Sequence, residues 1–158
     1  MDPDFRIRFA GLAACPPSFL HAALYSIPFA MTPTPPKLRI LIVDDSAPVR
    51  RGIMSLLLTN AAWEICGEAA DGPEALQKTV ELRPDLVLLD ISMPGMSGLD
   101  AARMIRESVP DARILIMSQH DAANMLDGVL EAGAQGCVDK GRLSADLLPA
   151  IDSCCSRS

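Results

Sequence analysis

Five polar residues that could act together on a charged group stand at or just beyond the ends of apolar runs. Asp44 and Asp45 come directly after one run, and Asp90 ends a second. Ser118 follows a third run, and Lys140 lies just beyond a fourth, shorter one. Apolar runs without polar alternation are typical of parallel strands that are buried on both faces. Because open parallel sheets bind ligands beyond the carboxyl ends of their strands, these residues are predicted to form one site.

The chemistry of this set points to a metal ion and a phosphoryl group. Three clustered carboxylates repel one another, and without a cation at least one is expected to take up a proton. A hard divalent cation removes that repulsion, and magnesium is typically held by one or two carboxylates together with phosphate oxygens. An ammonium and a hydroxyl on the far side complete a pocket for a tetrahedral dianion. We therefore predict a magnesium site beside a phosphoryl group carried by Asp90.

Each of these residues also has a plainer interpretation. Asp90 could cap the next helix, Ser118 could cap the following turn, and Lys140 could be a solvated loop charge. Any of these interpretations would be preferred for the residue in isolation. The occurrence of all five residues in order, each at a strand end, favours the shared site.

Strand and helix signals alternate along the chain from Lys37 onward. Ser46, with Pro48 in the first turn, and the stretch Asp71-Gly72-Pro73-Glu74 are typical helix starts. Five strands alternating with five helices predict an α/β fold with a doubly wound parallel sheet and right-handed crossovers. The strands are predicted at 38–43, 63–69, 86–90, 113–117 and 137–138, and the helices at 46–58, 71–82, 97–108, 121–132 and 143–154.

Two packing details of the helices are also predicted. The third helix is expected to place four apolar residues on its inner face, namely Leu99, Ala102, Met104 and Ile105. Pro149 is expected to kink or shorten the last helix, because a proline inside a helix removes one backbone hydrogen bond. Neither detail changes the predicted site.

The composition argues against several classes of function. The formal net charge is −6, and residues 37–158 hold 12 basic and 18 acidic residues. With no basic stripe, and with one Trp and one Tyr for stacking, neither direct nucleic-acid binding nor membrane-surface binding is expected. Five cysteines without CxxC spacing and two histidines argue against a disulfide framework and a zinc site. A cytoplasmic location is therefore expected.

Residues 1–36 differ in kind from the rest of the sequence. They hold seven of the 13 prolines and lack a regular apolar period, so a disordered or weakly ordered arm is expected. The apolar stretch before Cys15 is shorter than a signal-peptide core, and the stretch ending at Met31 is too short to span a bilayer. We expect Met31 to be the native start, followed by a domain at 37–155 and a tail at 156–158.

The ordered set of motifs resembles the receiver domain of bacterial two-component response regulators. The resemblance covers about residues 37–152, and the motifs are specific together although each is weak alone. It implies the flavodoxin-like five-stranded sheet with strand order 2-1-3-4-5. The motifs are Asp44-Asp45, Asp90 with Met93-Pro94-Gly95 and Gly98, Ser118, and Lys140 after Gly133-Ala134-Gln135-Gly136.

The resemblance implies a role for each residue of the set. Asp90 would accept a phosphoryl group from a phosphohistidine of a sensor histidine kinase or a histidine phosphotransfer protein. Ser118 and Lys140 would each contact a phosphoryl oxygen, and the loop after the fourth strand would move inward as the switch. The implied ligands of Mg²⁺ are Asp45, Asp90 and the backbone carbonyl of Ser92, with Asp44 acting through water.

Two positions depart from the pattern of that family. Cys137 stands three residues before Lys140, where the family usually has a Tyr or Phe that swings inward when the Ser or Thr moves. A thiol has neither the bulk nor the hydroxyl of Tyr, so the coupling at this switch position is expected to differ. Gln119, directly after Ser118, is larger than the small residue common there and would hinder access to the phosphate.

These interpretations predict a signalling protein that is not an enzyme, apart from accepting and hydrolysing its own phosphoryl group. A stand-alone receiver would signal to an unknown downstream protein through the face of the fourth helix, fifth strand and fifth helix, or would relay phosphate; a homodimer is left open. A magnesium-dependent phosphohydrolase is less favoured, since that class has a second acid where this chain has Ser92. A receiver-like module that is never phosphorylated is the other alternative. Neither GxxxxGK[ST] nor GxGxxG occurs, which argues against nucleotide binding.

Overall fold

The structure, a computed structural model, describes residues 35–119 and 122–156. Apart from Pro35 and Pro36, the arm predicted at 1–36 lies outside these residues, as does the predicted helix start at Asp121. The strands are β1 (Leu38–Val43), β2 (Trp63–Ala69), β3 (Leu86–Asp90), β4 (Arg113–Ser118) and β5 (Gly136–Asp139). The helices are α1 (Ala47–Leu57), α2 (Gly72–Leu82), α3 (Gly98–Ser108), α4 (Ala122–Glu131) and α5 (Leu143–Cys155), with a 3₁₀ turn at Lys140–Arg142.

All five strands are parallel and lie in the order β2-β1-β3-β4-β5, which confirms the predicted flavodoxin-like sheet. Asp90 pairs with Met117 in the register of β3 and β4, and Ser118 pairs with Asp139 in the register of β4 and β5. The β1–β2 pairing shifts register between Ile40 and Leu41. Since neighbouring strands lie about 4.8 Å apart, the carboxyl ends of β1, β3, β4 and β5 form one continuous edge.

The hydrophobic core lies on both faces of the sheet. Successive residues of β3 belong to opposite clusters: Val87 and Leu89 pack on the side of α2, α3 and α4, whereas Leu86 and Leu88 pack on the side of α1 and α5. All five residues of β3 are buried, which explains why its sequence is apolar without alternation. Each fully buried Leu contributes on the order of 2 kcal/mol, so this strand is firmly anchored below its polar tip.

The ends of α2 determine where β3 begins. The Asp71 carboxylate accepts a hydrogen bond from the Glu74 backbone N–H at 2.8 Å, which caps the helix at its start. Arg83 adopts a left-handed conformation with φ of 48°, and Pro84 follows, so the helix cannot continue. The chain is thereby turned into β3, as the sequence predicts.

Both packing details expected of the helices need correction. Met104 is 39% exposed, because it falls to one side of the buried stripe that Ala101, Ala102 and Ile105 form on α3. α5 runs through the exposed Pro149 for 13 residues, so the predicted shortening is wrong. Buried residues on both sides of the proline hold the helix against the sheet. Among the residues that the structure describes, no helix is long and apolar enough to cross a membrane.

Candidate functional site

Asp90 lies at the tip of β3 with only 1% of its surface exposed. Its Oδ1 accepts a hydrogen bond from the Ser92 backbone N–H at 3.1 Å, which holds the carboxylate at the start of the following loop. An acid in this position costs free energy to bury, so it needs partners of opposite charge or good donors. The structure provides both.

The two acids that follow β1 take different environments. Asp44 is fully buried, and its Oδ1 accepts a hydrogen bond from the Ser46 backbone N–H at 2.8 Å. Asp45 is exposed. One carboxylate oxygen from each of Asp44, Asp45 and Asp90 lies within 4.8 Å of the others, and in the described part of the chain this is the one such cluster able to hold a metal ion. The three acids predicted to share a site are therefore together.

Lys140 joins the two buried acids. Its Nζ lies 2.6 Å from Asp44 Oδ2 and 2.9 Å from Asp90 Oδ2, and only 9% of its side chain is exposed. The contact with Asp44 is a close ion pair rather than a well-aligned hydrogen bond. The chain turns at this point because Asp139 Oδ1 accepts from the Gly141 backbone N–H at 2.7 Å. Sequence reasoning missed this turn, although an Asp two residues before a Gly is a signal for it.

The pKa values of the pair reflect burial and mutual contact. Burial raises the pKa of the Asp90 carboxyl above its ordinary value, and Lys140 and the Ser92 amide oppose this rise without cancelling it. Burial would lower the pKa of Lys140, but its contacts with Asp44 and Asp90 outweigh that effect and raise it. Lys140 therefore carries a positive charge at neutral pH, and Asp90 is harder to ionise than a surface aspartate.

Gly98 fixes the loop that follows Asp90. A Cβ at this position would lie 2.1 Å from the Asp90 carbonyl oxygen, so only glycine fits. The Gly98 backbone N–H donates to the Ile91 carbonyl at 2.9 Å, which closes the loop on itself. Gly95 within the loop has φ of +83°, a conformation that favours glycine. The loop that contains Ser92, with its predicted ligand carbonyl, is thus held against the tip of β3.

Ser118 is fully buried at the tip of β4, one residue beyond the register partner of Asp90. Its hydroxyl donates to the thioether of Met125 on α4, with Oγ 3.3 Å from Sδ. The sequence places Met125 only within an apolar stripe, and the stripe predicts a core residue rather than a partner for Ser118. Ser118 ends a strand and Met125 lies on the next helix, so no spacing rule in the sequence predicts this contact.

The two positions that depart from the family pattern, Cys137 and Gln119, have different environments. Cys137 is half-buried on β5, and its thiol donates weakly to the Val138 carbonyl oxygen at 3.9 Å. Burial, and then the nearby Asp139, raise the pKa of this thiol, so it is protonated and unreactive at neutral pH. Gln119 is exposed and lines a cavity of about 700 Å³ between α1 and the start of α5, beside Lys140.

The comparison with protein families decides what this arrangement is. Residues 40–152 match the family model described as the response regulator receiver domain, which is more than half of the chain. The chain belongs to this family. The match begins within β1, ends within α5 and includes every residue of the predicted site.

Known relatives of this receiver domain are regulators of two-component systems. It is 44% identical over 115 residues to the oxygen regulatory protein NreC of Staphylococcus epidermidis, which covers 72% of this chain and 53% of NreC. The chain thus spans about half the length of the curated relatives it matches. The receiver domain of a two-component response regulator is therefore established, whereas the predicted stand-alone architecture is not.

Solved structures share the fold. A LuxR-family two-component response regulator from Aurantimonas sp. SI85-9A1 superposes with a TM-score of 0.70 at 38% identity, over 74% of this chain and 84% of that one. A CheY from Borrelia burgdorferi, solved with CheX, BeF3 and Mg+2, superposes with a TM-score of 0.69 at 30% identity, over 73% of this chain and 87% of that one. Receiver domains generally bind Mg²⁺ at an acidic pocket, and the cluster of Asp44, Asp45 and Asp90 has the oxygen donors that this ion prefers.

Proposed function

We propose that this receiver domain accepts a phosphoryl group on Asp90 from a phosphohistidine of a sensor histidine kinase or a histidine phosphotransfer protein. The observation that carries the proposal is the position of Lys140, whose ammonium touches both Asp44 and Asp90 at the common edge of the sheet. An ammonium held there can neutralise a new phosphoryl oxygen without leaving the pocket. The intact acidic cluster also argues against a receiver-like module that is never phosphorylated.

The proposed transfer is a displacement at phosphorus. A carboxylate oxygen of Asp90 attacks the phosphorus, the P–N bond of the phosphohistidine breaks, and the imidazole, protonated on its other ring nitrogen, leaves as a neutral group. Lys140 then pairs with one phosphoryl oxygen, and the Ser118 hydroxyl donates to another. Attack of water on the phosphorus breaks the bond to Asp90, releases inorganic phosphate and restores the free carboxylate. The domain thus hydrolyses only its own phosphoryl group, and we do not propose it as an enzyme for other substrates.

The charge of the pocket supports a divalent cation. Three ionised carboxylates and one ammonium leave two negative charges, which one Mg²⁺ would neutralise. The ligands we propose are Asp45, Asp90 and the Ser92 carbonyl. Asp44 would act through water, because Lys140 already occupies its Oδ2. When bound, the ion would offset the charge that builds up on the phosphoryl oxygens.

We further propose that the output of the receiver is protein contact, through the face formed by α4, β5 and α5. The described residues of this face include two exposed leucines of α4, Leu126 and Leu130. The domain is acidic overall, which disfavours direct binding of nucleic acid by this part of the chain. The LuxR family named for one solved relative describes that protein, and any further domain is a separate question.

The test of the proposed function is the intact mass of the full chain after incubation with acetyl phosphate. We expect the wild type to gain one phosphoryl group in the presence of Mg²⁺ and none with a chelator. Asp90→Asn is expected to gain nothing, whereas Asp111→Asn, which changes an exposed aspartate away from the site, is expected to behave as wild type. An equal gain in Asp90→Asn would move the phosphoacceptor elsewhere.

A wild type that gains no mass under any of these conditions would favour the unphosphorylated module instead. A short-lived phosphate would give the same result, so the sample is also titrated with beryllofluoride, a stable phosphoryl mimic, and Mg²⁺. Binding of the mimic to wild type but not to Asp90→Asn would support the proposal. Binding to neither would contradict it.

A further inference from the structure

The Ser118 hydroxyl has one proton, and in this structure that proton is given to Met125. Oγ lies 3.3 Å from Sδ, a normal separation for a hydrogen bond to sulfur. A hydroxyl has a single donor hydrogen, so it cannot donate to the thioether and to a phosphoryl oxygen at the same time. Hydrogen bonds to an ionised acceptor are roughly twice as strong as neutral ones. A phosphoryl group on Asp90 would therefore win this competition.

Loss of the hydrogen bond between Ser118 and Met125 would affect the exposed surface of α4. Met125 is half-buried on α4 and packs against the core cluster on the side of α2, α3 and α4, of which Val129 is a member. The next residue, Leu126, and Leu130 one turn later are exposed on the same helix. A change in the position of Met125 at the inner side of α4 would thus change how these two leucines are presented.

The Cys137 thiol is less suited than Met125 to transmit a change at Ser118 to the surface of the domain. Cys137 packs beside the same core cluster, but its short side chain donates at 3.9 Å to the carbonyl of its own neighbour, Val138. The thiol is a weak donor, and at that distance the contact is worth little. The hydrogen bond from Ser118 to Met125, by contrast, reaches α4.

We propose that Met125 is the positioning residue that holds the Ser118 hydroxyl in the unphosphorylated domain, and that phosphorylation releases it, so that α4 reports the state of the pocket in place of an aromatic residue at position 137. The inference rests on the proposed phosphorylation of Asp90. The thioether is a weak acceptor, so it loses little when Ser118 turns away. The released side chain is free to repack with α4.

The test follows the methyl signal of Met125 in the full chain labelled with ¹³C at its methionine methyl groups. The chain has eight methionines, and loss of one signal in Met125→Leu assigns the residue. On phosphorylation with acetyl phosphate and Mg²⁺, we expect the Met125 signal to move in the wild type and to move equally in Cys137→Ala. In Ser118→Ala, the Met125 signal should already be displaced before phosphorylation, and phosphorylation should not move it further. The signal of Met104, which is exposed on α3, is the internal control.

The intact mass of the same samples distinguishes a failure of the proposed phosphorylation from a failure of the release of Met125. A wild type that gains no phosphoryl group contradicts the proposed function and, with it, the release of Met125. A gain in mass with a fixed Met125 signal overturns the inference alone, as does a shift that disappears in Cys137→Ala.

A second measurement uses the competition directly. Met125→Leu removes this acceptor at similar volume and so removes its competition with a phosphoryl oxygen, and the phosphorylated fraction at a fixed donor concentration should rise a few-fold. Met104→Leu is the matched control and should leave that fraction unchanged. An unchanged or lower fraction in Met125→Leu would contradict the competition.

Discussion

The charged pocket and the region around Ser118 are held by forces of different strength. In the pocket, Lys140 is fixed by two buried carboxylates at 2.6 and 2.9 Å. At Ser118, a neutral hydroxyl donates to a thioether at 3.3 Å. Removal of one partner from a buried charge pair is far more costly than removal of a neutral hydrogen bond. The ion pairs of the pocket are therefore expected to persist when the weaker hydrogen bond between Ser118 and Met125 is broken.

The largest effect is expected from Lys140→Met. The change leaves Asp44 and Asp90 buried without a cation, and such losses typically cost about 3 to 5 kcal/mol of folding free energy. The loss should shrink in acid, because protonation of Asp90 removes one of the two charges. Urea unfolding at neutral and acidic pH measures both effects.

Arg103→Met is the control for this variant. Arg103 pairs with Asp100 at the surface, at 2.8 Å, where ion pairs contribute at most about 1 kcal/mol. Equal losses in the two variants would show that the Lys140 pair is no more important than a surface contact. The contrast between the pocket and its surroundings would then fail.

Gly98→Ala is expected to have the next largest effect. The added Cβ would overlap the Asp90 carbonyl oxygen at 2.1 Å, so the loop after β3 must move, at a cost of about 1 to 3 kcal/mol. Phosphorylation of Asp90 should slow as well, since the same loop holds the Ser92 amide against its carboxylate. Denaturant unfolding and the rate of mass gain measure the two consequences.

Gly52→Ala is the matched control. Gly52 lies on α1, and an added Cβ there meets nothing within 4 Å. Alanine favours the helix over glycine, so this variant should gain roughly 0.5 to 1 kcal/mol and phosphorylate normally. A Gly98→Ala variant with wild-type stability and rate would show that the close approach to Asp90 is unimportant.

Asp90→Asn is expected to raise the melting temperature in metal-free buffer. Burial raises the pKa of Asp90 in the folded chain, so this group favours folding below its unfolded pKa of about 3.9, and that contribution is lost as the pH rises through the higher folded value. Asparagine carries no charge and escapes this loss. The advantage of the variant should therefore grow with pH across this window and then stay constant.

Thermal unfolding of both proteins with a chelator, at a series of pH values, gives this difference. Addition of Mg²⁺ should then stabilise the wild type more than Asp90→Asn, because a ligand that binds only the folded state raises its stability. A difference in stability between the two proteins that does not grow with pH would contradict the raised pKa.

The smallest effect is expected from Cys137→Ala. The thiol is half-buried and its one weak contact is local, so the loss should be below about 1 kcal/mol. Phosphorylation should proceed at the wild-type rate, since the hydrogen bond of the thiol goes to the Val138 carbonyl and not to a charged residue of the pocket. Thermal unfolding and mass gain are the measurements. A large drop in melting temperature or in the rate of mass gain would show that Cys137 helps to hold the pocket residues in place.

The strands and their polar tips could be predicted because each signal is local. Buried strands such as β3 are apolar without alternation, and the first charged residue marks the end. The partners of Lys140 could not be foreseen in the same way. They depend on the turn at Asp139, which aims Lys140 at Asp44 as well as at Asp90. The charge argument and the resemblance both assigned Lys140 to the phosphoryl group, and neither predicted its ion pairs with Asp44 and Asp90.

Helix packing was harder to predict. The spacing of apolar residues along a helix indicates which of them form a stripe, but it does not show which of them face the core most directly. Met104 was expected on the inner face of α3 and is exposed. Met125 packs against the core and also accepts a hydrogen bond from the Ser118 hydroxyl, a contact between two elements that no local pattern predicts. Pro149 does not end α5, because the burial of Leu147 and Ile151 on either side outweighs one missing backbone hydrogen bond. In each case tertiary contacts determine the outcome, and these are not local.

The register shift in the β1–β2 pairing bears on how the sheet avoids self-association. β2 is an edge strand, and the shift skips Cys66 in the ladder, which interrupts the row of groups that another strand would need. An exposed glutamate, Glu64, adds charge to this edge. The opposite edge, β5, is only four residues long. Both edges thus make poor templates for fibre growth, so the fold itself limits how readily the unpaired sides of the sheet can add further strands.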